Sequence, residues 1–318
     1  MPTTRYHVLH ETRYEYQRTV GRSRQILHLA PRPMAWQLCR SHTLRVEPAA
    51  EILTSGADAF GNPVTWLSIE SDHASLDVRA ESWVDVSARA FPDDAATPPW
   101  EDVRARLAYR AGHRPLPADL DAARFLFESS RVRNKRELAA WTRACFPPGA
   151  PLLVGVRALM NRIHGEFTFD AKATTVSTPV MRVFSLRRGV CQDFAHLMLS
   201  CLRSLGLAAR YVSGYLLTRP PPGRRRLIGA DASHAWVSVY CPSFGWVDAD
   251  PTNGIFPGAE HVTLGWGRDF DDVTPMHGVL LGGGEHDLSI EVTVTPAAEY
   301  EALFGAPPPP WPTPGAPG

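Results

Sequence analysis

Three short stretches hold side chains that together could run nucleophilic chemistry: Cys191 in RRGVCQDFAH, His234 in SHAWVSVY, and Asp248 and Asp250 in GWVDADP. A thiol attacks only as the thiolate, so it needs a site that favours negative charge and a base held in place by a third group. The residues after Cys191 supply the first condition. Phe194, Leu197, Met198, Cys201, Leu202 and Leu205 recur at helical intervals, and Gly206 follows as a stop. The pattern predicts a buried helix of about four turns. Cys191 opens it, where free N–H groups and the helix dipole favour an anion. Cys201 lies deeper among leucines and is read as packing.

The base and its holder must come from downstream. Alternating apolar and β-branched residues over 233–240 predict a strand with His234 near its start, Pro242-Ser243-Phe244-Gly245 predicts a turn, and 245–251 predicts the returning strand. A turn pivoting about Pro242 would set His234 opposite Asp250. A later pivot changes the register but keeps Asp248 and Asp250 on one face, so spacing allows either. Pro251 holds Asp250 extended, which makes Asp250 the preferred partner. A lone helix-start Cys or a lone strand His usually packs rather than reacts. The order of a Cys helix, a strand, a His strand and an Asp strand is what a papain-like core needs.

Other polar clusters carry less. His7, His10, His28 and His42 share no metal-ligand spacing and are read as packed or surface side chains. Asp193, two residues into the Cys191 helix, is read as a cap. The loop Thr218 to Arg226, TRPPPGRRR, is read as a solvated cationic face that could flank the cleft. Asp269, Asp271 and Asp272 lack the spacing of a calcium loop, which leaves ion pairing. No nucleotide, flavin or metal motif occurs, so no cofactor or metal is expected.

Composition sets the outer bounds. With 44% hydrophobic residues, 33 basic against 33 acidic side chains and a formal net charge of zero, the chain is globular and lacks the charge that non-specific nucleic-acid binding needs. No apolar run reaches the roughly 18 residues that cross a bilayer, and the first residues lack a signal peptide's apolar stretch. The cytoplasm is the expected compartment, and no membrane partner is expected. Five cysteines without a CxxC pair suit free thiols rather than a disulfide framework.

Period-two alternation through about residue 90, clearest from Leu76 to Val86, predicts an antiparallel β domain over 1–90. Strands are expected over Arg5–Tyr16, Gln25–Leu29, His42–Glu47 and Val64–Ile69 as well. A helical connector is expected over 91–150, with helices from Asp119 to Phe127 and Lys135 to Arg143, the latter capped by Asn134 and Glu137. A catalytic core follows over 151–304, opening with a helix from Pro151 to His164. The Pro-rich tail over 305–318 cannot bury enough apolar surface to order itself.

The strings GVCQDFAHL, YVSGY, SHAWVSVY and GWVDADPTNG resemble the transglutaminase-like superfamily, in particular its bacterial members with an N-terminal β domain. RYHVLHETRYEY, DAFGNPVTWL and GWGRDFDDVTPMHGVLLGGG extend the resemblance over nearly the whole chain. It implies an α+β fold in which the Cys helix packs on an antiparallel sheet bearing His and Asp. It implies Cys191 as nucleophile, His234 as general base and acid, and Asp250 as the residue orienting the imidazole. The implied reaction is acyl transfer from a peptide or protein amide through a thioester to an amine or to water. A cysteine peptidase or amidase of the same fold is the alternative, and a silent peptide-binding scaffold a more distant one. The Cys191 N–H is one expected oxyanion donor, with the Thr174 to Thr178 stretch, Gln192 and Trp236 open for the second.

Overall fold

The computed structural model describes residues 2–112, 114–217 and 233–305. The Thr218 to Arg226 loop and residues 306–318 of the tail lie outside the described residues. The chain begins with β1 (Thr3–Leu27), β2 (Gln37–Glu47), β3 (Ile52–Ala57), β4 (Pro63–Ile69) and β5 (His73–Ser87), paired in the order β2-β5-β1-β4-β3. Two of the expected strands, Arg5–Tyr16 and Gln25–Leu29, are one strand. The polar residues between them stay extended through an irregularity between Glu15 and Val20.

Helices α1 (Trp100–Leu107), α2 (Pro117–Ala123), α3 (Arg136–Arg143) and α4 (Leu152–Glu166) follow. The Asn134 cap expected for α3 is absent: Lys135 is the N-cap residue without a side-chain bond. The Asn134 N–H goes instead to Glu128 Oε1 at 2.8 Å. Next come β6 (Thr168–Phe169), α5 (Val180–Leu186), β7 (Arg188–Gly189) and α6 (Cys191–Ser204). Strands β8 (Ala209–Leu216), β9 (Ser233–Cys241), β10 (Gly245–Ala249) and β11 (His261–Gly267) then form an antiparallel sheet in the order β10-β9-β8-β11.

Helix α6 is the centre of the larger core. It lies between β8 and β9 on one side and α3, α4 and α5 on the other. The apolar stripe read from sequence is therefore too narrow a description, because Asp193 through Arg203 are all buried. Arg203 is tolerated there because its guanidinium donates to the carbonyls of Ala209, Phe127 and Arg268. Burial still lowers it to about 10. The helices of the expected connector belong to this same core through Trp100, Val103, Leu138 and Phe146.

The end of the chain corrects the expectation of a separate core over 151–304. Strands β12 (Met276–Gly282) and β13 (His286–Pro296) return to the first sheet and pair with β1, β12 along Val20–Leu27 and β13 along Tyr6–Tyr16. Helix α7 (Ala297–Phe304) then packs on β1 and β13. Among the described residues no helix is long and apolar enough to cross a membrane.

Directed contacts lock the two sheets together. Tyr6, Val8, Val84 and Val86 pack with Tyr215, Val262 and Leu264. The side-chain amide of Gln37 donates to Thr263 O at 2.7 Å and its carbonyl accepts the Thr263 N–H at 2.8 Å. His10 Nδ1 meets the Tyr215 hydroxyl at 2.8 Å. Arg89, just beyond β5, pairs with Asp248 at 2.7 Å, each side chain only 7% exposed. Removing one partner of such a pair strands a buried charge, which costs about 3–5 kcal/mol. Arg89→Leu is expected to lose stability of about that size in urea titrations, and adding Asp248→Asn should recover part of it. An unchanged midpoint would reject the clamp.

Candidate active site

Local folding before α6 presents the thiol. Arg187 ends α5 in the left-handed conformation, φ 55°, with its guanidinium over the rings of Phe184 and Phe167. The chain thereby turns into β7, which pairs with β6 and delivers Val190 to the N-cap of α6. Asp193 Oδ2 accepts the Val190 N–H at 2.9 Å and the Thr174 hydroxyl at 2.6 Å. Its role is the capping one. Gly189 makes room for it, since a Cβ there would lie 2.7 Å from the Asp193 carboxylate. Cys191 is the first residue of the helix, half-buried, with Sγ 4.0 Å from Ser233 O. Burial pushes Cys201 up to about 12 and Cys39 up to about 11.

The β9–β10 hairpin supplies the imidazole and its carboxylate. Gly245 pairs with Cys241 and Ala249 with Val237, so the turn pivots about Ser243 rather than Pro242. Asp250 therefore sits diagonally across from His234, on the same face, and Oδ2 reaches His234 Nε2 at 2.8 Å. The Cys191 thiol acts on the same imidazole and favours its protonated form. Asp248 goes elsewhere. It takes the Trp236 Nε1–H at 3.0 Å and the Arg89 ion pair.

Asp250 has no solvent exposure. The turn after Pro251 wraps it in donors: the N–H groups of Thr252 and Asn253 reach Oδ1 at 2.9 and 3.2 Å, and Asn253 Nδ2 reaches Oδ2 at 2.7 Å. Burial pushes this carboxyl up, yet the bonds from His234, His261 and Asn253 hold it below the usual carboxylate range. Burial likewise lowers His234, but its bonds to Asp250 and Cys191 and their negative charge outweigh that and raise it to about 10.

Asn253 and His261 were not singled out by the sequence. Asn253 could have been, because it lies in the turn that Pro251 opens. His261 reaches the site only through the β8–β11 pairing, which no local pattern encodes. His234, Asp250 and His261 offer three ligand atoms within 4.8 Å of one another, the set of described residues that could approach a metal. Their separations of 2.8 and 3.2 Å are hydrogen-bond distances that account for the cluster without an ion.

Of the second oxyanion candidates, Thr174 spends its hydroxyl on Asp193 and Trp236 its indole N–H on Asp248. Gln192 keeps only a 3.3 Å bond to Val176 O. Asp269 accepts from the Arg131 N–H and the Ser130 hydroxyl, and Asp271 and Asp272 pair with Arg131 and Arg268.

Residues 6–85 match the bacterial transglutaminase-like N-terminal region, and residues 139–251 match the transglutaminase-like superfamily core, a span holding Cys191, His234 and Asp250. An uncharacterized protein of Mycobacterium tuberculosis is 38% identical over 300 residues, 91% of this chain and 93% of that protein. The chain belongs to the transglutaminase-like superfamily. Another relative, named protein-glutamine gamma-glutamyltransferase in Pseudomonas aeruginosa, is 34% identical over 106 residues, 32% of this chain and 16% of its own length. A solved structure from Cytophaga hutchinsonii, provisionally described as a cysteine protease, superposes with a TM-score of 0.71 at 19% identity, covering 93% of this chain and 91% of that one. This transglutaminase-like chain thus has the α+β architecture with a papain-like core.

Folding raises His234 from an ordinary 6.5 to about 10. The pair's contribution to stability is therefore complete below about 6.5 and is lost as pH climbs toward 10. Unfolding free energy measured in urea should fall across that window, and Asp250→Asn should flatten the decline. A wild-type profile no steeper than that of Asp250→Asn would contradict a charged pair.

Proposed function

We propose that this transglutaminase-like protein is a thiol acyltransferase acting on peptide or protein amides. One observation carries the reading: the His234 imidazole is bonded through Nε2 to the buried Asp250 carboxylate and stands near enough to a thiol at a helix start for that thiol to act on its proton. Cys191 thiolate attacks the amide carbonyl carbon, and His234 passes its proton to the nitrogen as the C–N bond breaks. A thioester and a free amine result. An incoming amine or water gives a proton to His234 and attacks the thioester, and the Cys191 thiolate leaves. The Cys191 N–H, outside the helix's own ladder, faces the developing oxyanion, and the loosely held Gln192 amide is the second donor.

The name of the Pseudomonas aeruginosa relative supports a glutamine carboxamide as acyl donor and an amine as acceptor. Hydrolysis shares the first half-reaction and is the competing outcome. A silent scaffold would have no need to hold a thiol, an imidazole and a carboxylate in line. The proposed compartment is the cytoplasm, where the five unpaired cysteines stay reduced.

The test is incubation with a peptide library and a labelled primary amine, read by mass spectrometry against Cys191→Ala. Amine adducts on glutamine support transfer, and hydrolysed peptides assign an amidase. The absence of both products would overturn the enzymatic reading. Iodoacetamide at neutral pH should label Cys191 ahead of Cys201 and Cys241, and equal labelling would count against an activated thiol.

The two aspartates should separate. Asp250→Asn is expected to cut turnover by about 10³- to 10⁴-fold, by analogy with other triads. Asp248→Asn should act mainly on the melting temperature through Arg89 and Trp236. The reverse ranking would show that the hairpin register is wrong.

A further inference from the structure

Asp250 carries a second imidazole. His261 opens β11, and its Nε2 lies 3.2 Å from the same Oδ2 that receives His234. The ring is buried, edge-on to Trp236 at 5.2 Å and 81°, and 5.9 Å from the His234 ring. A bare lone pair on Nε2 would face carboxylate lone pairs at that distance, so the proton sits on Nε2 and His261 donates. Nδ1 finds no hydrogen-bond partner among the described residues. An apolar side chain would fill this space without that cost.

We propose that His261 is a positioning residue for the reaction above, the donor that holds the Asp250 carboxylate ionised and aligned while His234 gains and loses its proton. The proposal rests on the Cys191, His234 and Asp250 reading. While His234 is an imidazolium, Asp250 faces a full countercharge. Once that proton has gone to the leaving amine, Asp250 is a fully buried anion dependent on its other donors. Asn253 and the two backbone N–H groups belong to the turn that follows Asp250 itself and move with it. His261 comes from another strand. It ties the carboxylate to the β8–β11 edge of the sheet and fixes its orientation relative to β9.

Two variants separate hydrogen bonding from packing. His261→Gln keeps an N–H near the Nε2 position, and His261→Phe keeps the ring but removes the donor. Turnover is measured with the amide substrate found above, alongside thermal unfolding. Expected is a loss in kcat of about tenfold or more for His261→Phe with KM within about twofold, and His261→Gln within about threefold of wild type. An active Phe variant beside an impaired Gln variant, equal activity of both with wild type, or losses that merely follow melting temperature would overturn the proposal. If the Phe variant does not fold, the Gln variant decides alone: activity within about threefold supports, and a tenfold loss at wild-type melting temperature overturns. If the wild type turns over no amide, the reading of the site has failed. The iodoacetamide rate of Cys191, which needs no substrate, then decides: slowed in Phe and kept in Gln supports, unchanged in both overturns.

Discussion

A carboxylate sealed from water is stable only if nearly every lone pair meets a donor, and Asp250 meets five. That requirement dictates much of the surrounding fold. Pro251 must stop β10 so that the next residues can curl their N–H groups back onto Oδ1. The Asp250 N–H is itself tied to Ile255 O at 2.8 Å, closing the turn. β9 must bring His234 along the same face, and β11, two strands beyond β9 in the sheet, must supply His261. The imidazole can then hold a proton above its ordinary range, and a thiol at a helix start lies within its reach.

A second buried charge makes the first sheet part of the same construction. Asp248 fixes the Trp236 indole, whose ring lies 6.0 Å from that of His234, and Asp248 is in turn neutralised by Arg89 from beyond β5. Arg89 is held over the Trp36 ring at 4.8 Å. The chain then returns through β12 and β13 to fill the open side of β1. The first sheet is thus completed by strands that lie, in sequence, beyond the second. The N-terminal sheet thereby braces the face of β9 that presents the imidazole.

How much of this was legible depended on range. The Cys191 helix was readable because its period repeats over four turns and Gly206 ends it, and Asp193 was readable as a cap because N3 is where a carboxylate serves. Alternation named the β strands but could not show that Gln17 to Arg24 stays extended within one long strand. The two aspartates could not be separated by period alone, since a two-residue step keeps them on one face. What separates them is where Arg89 and the Pro251 turn fall. The α3 cap failed for a similar reason: Glu128, six residues upstream, captures the Asn134 N–H. His261 was invisible because its partner is fixed by a strand pairing across the sheet.

On the proposed reaction, chemistry and selectivity fall to parts of different burial. The helix that Cys191 opens is buried from Asp193 to Arg203, and the imidazole and carboxylate are held by the β9–β10 hairpin, so the placement of the three side chains is set by the core. The segment over 170–179 beside Cys191 is instead largely exposed. It is fastened by Thr175 to Thr178 and by Gln192 and Arg131 at the Val176 carbonyl. On the proposed reaction, forming the thioester demands only what the core supplies. Choosing an amine over water demands a wall that fits the acceptor and excludes solvent, which falls to that outer segment. Relatives that share the core and differ in this wall can therefore share the first half-reaction and part company at the second.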